Sequence, residues 1–328
     1  MREALARAHA NIALVKYWGK RDEERILPMN GSISMTVDPF YVTTAVTFED
    51  GLPEDRLVLN GLDAAAVDQR RVTTFLDRIR ALARVDARAV IRSENHVPTG
   101  AGLASSSAAY AALAMAATRA LGLNLSPTDL SKLARQGSGS ASRSVYGGFV
   151  EWLKGNREDG EDSYAVPLAP PDYWDIRMVM AIVDSGPKSV SSRDGMRSVV
   201  ETSPFYAGWQ ATVESDLAAV RNAILRRDFA VLGQVAEANA FKMHATTMGA
   251  VPPFTYWSGT TIEVIRRVQH MRGEGVPAYV TIDAGPHVVV LCEPQHASWV
   301  EASLAVVPGV KEVVQAGPGP DAREVDAW

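Results

Sequence analysis

A glycine- and serine-rich loop that runs straight into an alanine-rich segment, Pro98-Thr-Gly-Ala-Gly-Leu-Ala-Ser-Ser-Ser-Ala108, constrains this chain more than any other stretch. Gly100 and Gly102 allow a tight turn that exposes consecutive N–H groups. The helix expected behind them, Ala108 to Leu121, leaves its first amides unpaired and carries partial positive charge at that end. Such a loop suits phosphate. It lacks the Gly-Lys-Ser/Thr ending of the common P-loop. Alone, it reads equally well as a capped turn before a core helix.

At 328 residues the chain can hold two domains, or one large one, with a substantial core. A net charge of −5 gives no support to a nucleic-acid role, although a local anion site needs only a few cations. The single cysteine, Cys292, lies in an apolar run and reads as a buried strand residue rather than part of a disulfide or thiolate metal site. The first ten residues lack the apolar core of a signal peptide. No apolar run approaches the ~20 residues needed to span a bilayer. Together these features predict a cytoplasmic protein with no membrane or nucleic-acid partner.

Strand patterns dominate the first third, at 41–48, 56–59 (with a turn at Asn60-Gly61) and 89–94. The spacing of Val72, Phe75, Leu76, Ile79 and Leu82 predicts a helix over 72–82. A second helix is expected from the Ser126 cap and Pro127 to about Gln136, and strands at 147–152 and 178–183. The second half shifts to long amphipathic stretches at 205–224, 229–244 and 260–271, then strands at 276–282 and 287–291. The Gly/Pro-rich tail from Gln315 is expected to be mobile. The pattern predicts an α/β (α+β) chain with an N-terminal domain over 1–185 and a C-terminal domain over 186–328.

Four further segments carry chemistry. Asn11-Ile-Ala-Leu-Val-Lys-Tyr-Trp-Gly-Lys20 ends an apolar strand in two of the chain's seven lysines, point charges suited to phosphate or carboxylate. Arg135-Gln-Gly-Ser-Gly-Ser-Ala-Ser-Arg143 offers hydroxyls, amides and arginine forks, a second anion cradle. Lys188-Ser-Val-Ser-Ser-Arg-Asp-Gly-Met196 is a third basic cluster, or a solvated loop with a serine cap. Ile282-Asp-Ala-Gly-Pro286 puts an acid at a strand end, where it suits phosphoryl transfer to an alcohol or forms only an Asx turn. Two anion cradles in one chain suggest two phosphate-bearing ligands, as a phosphotransferase requires. The six histidines show no metal-ligand spacing.

In this order, these motifs resemble the bacterial form of the diphosphomevalonate decarboxylases, within the superfamily of small-molecule kinases named for galactose, homoserine, mevalonate and phosphomevalonate (GHMP kinases). Leu27-Pro-Met-Asn30, Met243-His-Ala-Thr246 and Pro252-Pro-Phe-Thr-Tyr256 extend the resemblance over nearly the whole chain. It implies two GHMP-kinase-like domains, the first binding ATP, with the active site between them. It also implies a homodimer that uses ATP and Mg2+ to convert 5-diphosphomevalonate to isopentenyl diphosphate. Asp283 would be the catalytic carboxylate facing the 3-hydroxyl, with Lys16 close by favouring its ionised form. Arg143 would hold the substrate carboxylate, and Asn11 would help to orient it. Tyr17, Lys20, Ser138, Gly139, Ser140, Ser192, Arg193 and Met196 would form the diphosphate pocket with Arg143. Gly100, Ala101, Gly102, Leu103, Ala104, Ser105 and Ser106 would wrap the ATP phosphates, with Ser106 a ligand to magnesium and Lys188 closing over ATP.

Three positions depart from the family pattern. Gly31 stands where serine or asparagine is usual, Gly100 where alanine is usual, and His287 where asparagine is usual. Gly31 and His287 are therefore expected to bear on the choice between diphosphomevalonate and phosphomevalonate, whose decarboxylation gives isopentenyl phosphate. Other readings are a kinase that stops at the phosphorylated alcohol and a sensor without catalysis. The retained Lys16, Arg143 and Asp283 argue against the first. The retained Ser105, Ser106 and Asp283 argue against the second.

Overall fold

The computed structural model describes residues 3–96, 105–183 and 189–328. Strand β1 (Ala4–Val15) is followed by the short pair β2 (Lys20–Asp22) and β3 (Leu27–Pro28) and by the long β4 (Ser32–Glu49). Then come β5 (Arg56–Leu59), β6 (Leu62–Asp63), helix α1 (Ala66–Ala83) and β7 (Arg88–Asn95). Helices α2 (Ser105–Ala120) and α3 (Pro127–Arg135) lead through a 3-10 turn, Gly139–Val145, to β8 (Phe149–Trp152), β9 (Ala165–Ala169) and β10 (Arg177–Val183). Helices α4 (Ser192–Thr202), α5 (Tyr206–Arg226), α6 (Phe229–Met248) and α7 (Gly259–Gly273) follow. The chain closes with β11 (Ala278–Thr281), β12 (Val288–Cys292), α8 (Ala297–Ala305), β13 (Val310–Ala316) and β14 (Arg323–Glu324).

Among the described residues the strands form one large sheet, one small one and the two-stranded β2–β3 ribbon. The first runs β14-β1-β4-β7-β5-β6, with β8 and β9 branching from β4, and is antiparallel except for β5 on β7. The second runs β11-β12-β10-β13, antiparallel throughout. Three cores show how they stack. Helices α1, α2 and α3 cover one face of the large sheet, α5 and α6 lie between the sheets, and α7 and α8 cover the outer face of the small one.

Residue size sets these distances. The buried faces of α2 are mostly alanine (Ala111, Ala112, Ala114, Ala116, Ala117), so its backbone lies close over β1 and β4. The small sheet is covered on both faces, which explains the unbroken apolar run of β10: Met178 and Met180 enter the central core, Val179 and Ala181 the outer one. This strand precedes residue 185 yet pairs wholly within the small sheet, while the last strand, β14, returns to the large one.

The structure departs from the sequence reading in three places. Helix α1 starts six residues before Val72, because only its C-terminal half carries the apolar stripe. Helix α8 and strand β13 occupy a stretch given no element by pattern, although Ala297, Val300 and Leu304 are buried at helical spacing. The tail is docked, not mobile. The Gly317 N–H donates to Asp38 Oδ1 (2.8 Å), the Gly319 N–H donates to the Thr36 carbonyl (2.7 Å), and β14 pairs with the edge of β1. A Cβ on Gly319 would sit 2.7 Å from the Val37 backbone. The glycine is there for close approach, which composition alone cannot distinguish from flexibility.

Gly233 on α6 meets a similar limit, since an added Cβ would fall 2.0 Å from the Tyr279 ring. Gly233→Ala should therefore destabilise the fold by about 1–3 kcal/mol, despite alanine's better helix propensity. A lower urea midpoint with an unchanged m-value would show it.

Candidate active site

A cavity of about 630 Å³ opens where the large sheet, the 3-10 turn, α2, α4 and the end of β11 converge. The two sheets touch here directly, as the Thr281 hydroxyl donates to the Ala13 carbonyl across 3.1 Å. Lys16 is the first residue after β1, and Asp283 follows β11 by two residues. The sheet contact therefore brings together residues far apart in sequence. The Lys16 ammonium donates to Asp283 Oδ1 at 2.6 Å and to the Ala13 carbonyl at 2.8 Å. Its side chain is 3% exposed, whereas that of Asp283 is 25% exposed and reaches the cavity. Burial pulls the Lys16 pKa below the usual lysine range, and the Asp283 charge and hydrogen bond oppose that shift.

Arg143, on the 3-10 turn, is buried beside this pair with neutral partners. Nε donates to Ser34 Oγ (2.9 Å) and Asn11 Oδ1 (3.1 Å), Nη2 to Asn11 Oδ1 (3.0 Å), and Nη1 to Ser32 Oγ. Burial lowers its pKa to about 10, so it stays charged at neutral pH. A buried cation held by neutral acceptors retains attraction for an anion entering the cavity. Asn11 is engaged on all sides, its amide donating to the Ser140 carbonyl (3.0 Å) and Ser144 Oγ (2.7 Å). It therefore orients Arg143 rather than presenting its own amide to a carboxylate.

Further along the cavity wall lie Tyr17, Trp18, Lys20, Ser138, Gly139, Ser140, Ser192, Arg193 and Met196. The Tyr17 hydroxyl and Trp18 Nε1 are buried with no protein partner, donors left for an incoming oxygen. Burial raises the Tyr17 pKa, which keeps the phenol a neutral donor. Gly139 is a spacer, because a Cβ would press within 3 Å of the Tyr17 and Trp152 rings. Lys20 Nζ is paired with Glu23 at 2.5 Å. Ser106, at the start of α2, has its Oγ 3.2 Å from Ser138 Oγ, and Ser105 also lines the cavity. At the far end Val42, Leu57, Val72, Ile91 and Leu113 form an apolar wall edged by Thr44, Asn60, Ser93 and Asn95.

Gly100, Ala101, Gly102, Leu103, Ala104 and Lys188 lie outside the described residues. Gly31 and His287 are not among the cavity-lining residues. Gly31 packs against Leu217 and the Trp152 carbonyl, and buried His287 accepts the Val183 N–H at Nδ1 (3.0 Å). Any bearing of these two positions on substrate choice would act through packing behind the cavity wall. Sequence reasoning missed Trp18, whose only signal was its place between Tyr17 and Lys20. It also missed the polar edge of the apolar wall, whose residues come from separate strands without a shared motif.

These features define a class: an enzyme of mixed α/β fold whose cleft sets a carboxylate–ammonium pair beside fixed cations suited to anionic small molecules. Residues 8–165 match the diphosphomevalonate decarboxylase-like N-terminal domain, and residues 178–320 the mevalonate 5-diphosphate decarboxylase C-terminal domain. The chain belongs to the diphosphomevalonate decarboxylase family. It is 40% identical to the diphosphomevalonate decarboxylase of Bos taurus over 86% of this chain and 75% of that protein. The solved structure of mevalonate diphosphate decarboxylase from Staphylococcus aureus superposes with a TM-score of 0.95 at 43% identity, covering 99% of this chain and 98% of that one. A structure described as MDDEF in complex with MVAPP, AMPPCP and magnesium gives 0.94 at 47% identity, covering 99% of both chains. No described helix is long and apolar enough to cross a membrane.

One buried group behind the site predicts a pH dependence of stability. His244 is fully buried, and burial lowers its pKa to about 4. Between pH 6.5 and about 4 the unfolded chain takes up a proton that the folded imidazole refuses, so stability falls as pH falls. The loss should reach about 3 kcal/mol across that window. Buried His9, also shifted down chiefly by burial, acts in the same direction. Urea melts between pH 7 and 4 should show the decline, with a shallower slope in His244→Gln.

Proposed function

We propose that this chain uses ATP to convert 5-diphosphomevalonate to isopentenyl diphosphate, carbon dioxide, ADP and phosphate. The observation that carries the reading is the Asp283 carboxylate, fixed at 2.6 Å by a buried ammonium on the wall of a cation-lined cavity. The family membership and the MVAPP and AMPPCP complex of a 47% identical structure support it.

Each residue then has a physical task. Lys16 holds Asp283 Oδ1, which leaves Oδ2 to accept the proton of the 3-hydroxyl as its oxygen attacks the γ-phosphorus. Arg143 grips the substrate carboxylate, kept in orientation by Asn11, Ser32 and Ser34. The C3–O bond next breaks and phosphate departs. The C1–C2 electrons become the new double bond, and carbon dioxide leaves. Positive charge developing at C3 lies near the Asp283 carboxylate, which stabilises it. Lys20, Arg193, Tyr17 and the hydroxyls of Ser138, Ser140 and Ser192 receive the diphosphate, with Met196 packing beside it. Filling this end requires Lys20 to exchange Glu23 for phosphate.

The phosphates of ATP would lie against Ser105 and Ser106 and the 100–104 loop with Lys188, and the base would enter the apolar wall. The donor chemistry beside α2 fits magnesium, which takes hard oxygens and keeps waters and phosphates as its other ligands. Ser106 Oγ, near Ser138 Oγ, would hold it. Bound there, the ion would draw off charge from the phosphates. The same proposal treats 1–185 as the ATP-binding domain and 186–328 as its partner domain. It has the enzyme acting as a cytoplasmic homodimer of the bacterial form within the GHMP kinase superfamily.

Release of ADP and carbon dioxide, followed in parallel on mevalonate, phosphomevalonate and diphosphomevalonate, tests the reading. Turnover on diphosphomevalonate should dominate, and preference for phosphomevalonate would overturn the substrate assignment. Asp283→Asn should lower kcat by about 10²–10⁴-fold while leaving diphosphomevalonate affinity within a few-fold. Unimpaired turnover in that variant would refute the role of Asp283.

A further inference from the structure

Helix α6 reaches the reacting pair twice from behind. Asn239 is fully buried, and its Oδ1 accepts the backbone N–H of Lys16 at 2.8 Å. Its amide donates to Asp216 Oδ2 on α5 at 2.7 Å, and Lys242 Nζ donates to that same oxygen at 2.6 Å. Lys242 also donates to Thr212 Oγ1 (2.8 Å), so the Asn239 amide is fixed by a chain of partners on α5. Five residues further along α6, His244 Nε2 lies 3.2 Å from the carbonyl oxygen of Ile282, the residue before Asp283. A carbonyl only accepts, so the imidazole donates through Nε2. The side chain between these contacts, Met243, lines the cavity.

The ammonium and the carboxylate therefore arise from different sheets, and a single rigid helix holds the backbone beside each. We propose that α6 is a clamp for the reacting pair, in which Asn239 and His244 are positioning residues that keep Lys16 Nζ and Asp283 Oδ1 within hydrogen-bond reach. The inference rests on the reading that this pair serves phosphorylation of the 3-hydroxyl. Neither residue touches the substrate, so both act through the geometry of the pair. Misplacement of a reacting group by about 1 Å can lower a rate by roughly 10²-fold.

A donor–acceptor swap separates this role from a merely structural one. Asn239→Asp sets two carboxylates against each other and removes the donor to Asp216, whereas Asn239→Asp combined with Asp216→Asn restores one acceptor for Lys16 and one donor, and moves the carboxylate that pairs with Lys242 to position 239, three residues before it on α6, at unchanged net charge. The single variant should lose about 10–100-fold in kcat on diphosphomevalonate with KM within about twofold, and the double variant should recover most of it. His244→Leu should lose kcat in the same way, while His244→Gln, which keeps a donor, should retain it. Thermal melts on all variants show whether each is folded. The clamp is overturned if Asn239→Asp and His244→Leu keep kcat within twofold of wild type. It is equally overturned if the losses follow melting temperature and neither the swap nor glutamine restores turnover. Should wild type fail to release carbon dioxide from diphosphomevalonate, the functional reading falls. The clamp is then decided by crystal structures of wild type and Asn239→Asp. A Lys16–Asp283 separation beyond about 4 Å in the variant supports it, and an unchanged distance refutes it.

Discussion

A lysine ammonium taken out of water needs a carboxylate within reach, and in this molecule the carboxylate comes from the other sheet. Lys16 ends a strand of the large sheet and Asp283 follows a strand of the small one. Their 2.6 Å contact can form only when the two sheets and the helices between them are fully assembled. Formation of this pair and packing of the fold are thus the same event.

The second consequence concerns charge. Arg143 has been given hydroxyl and amide partners, and the described residues place only one carboxylate, Asp283, among the charges that oppose its pKa shift. Lys20 has Glu23, a partially exposed group able to swing away. The cleft lining therefore holds more positive than negative charge. Such an arrangement costs stability, which an anionic ligand would restore. Attraction for an anion follows from the Arg143 cation, which neutral partners hold in place.

Much of this is legible in the sequence, and the boundary has physical causes. The Lys-Tyr-Trp-Gly-Lys, Gly-Ser-Gly-Ser and Asp-Ala-Gly-Pro segments named the groups around the cavity, because chemistry demands particular residue types at short spacing. The main helices and strands were visible from their 3.6- and 2-residue periods. The docked tail lies beyond such reading, since Gly319 has the composition of a flexible end but serves close backbone packing. Gly31 and His287 drew attention through unusual identity, yet one packs on Trp152 and the other caps Val183, away from the cavity surface. Asn239 stood in an ordinary amphipathic helix and carried no local signal at all.

The sequence by itself determined which functional groups the molecule possesses and the local conformation of most segments that bear them. Local rules suffice there, because turn, cap and strand preferences act over a few residues. Only the tertiary structure decided which of those groups meet. The Lys16–Asp283 pair joins positions 267 residues apart, and Asn11 reaches Arg143 across 132. Burial, which shifts the Lys16, Arg143 and His244 pKa values, is likewise a property of the assembled layers. Proximity and desolvation arise from packing between distant segments, so no pattern within one segment can encode them.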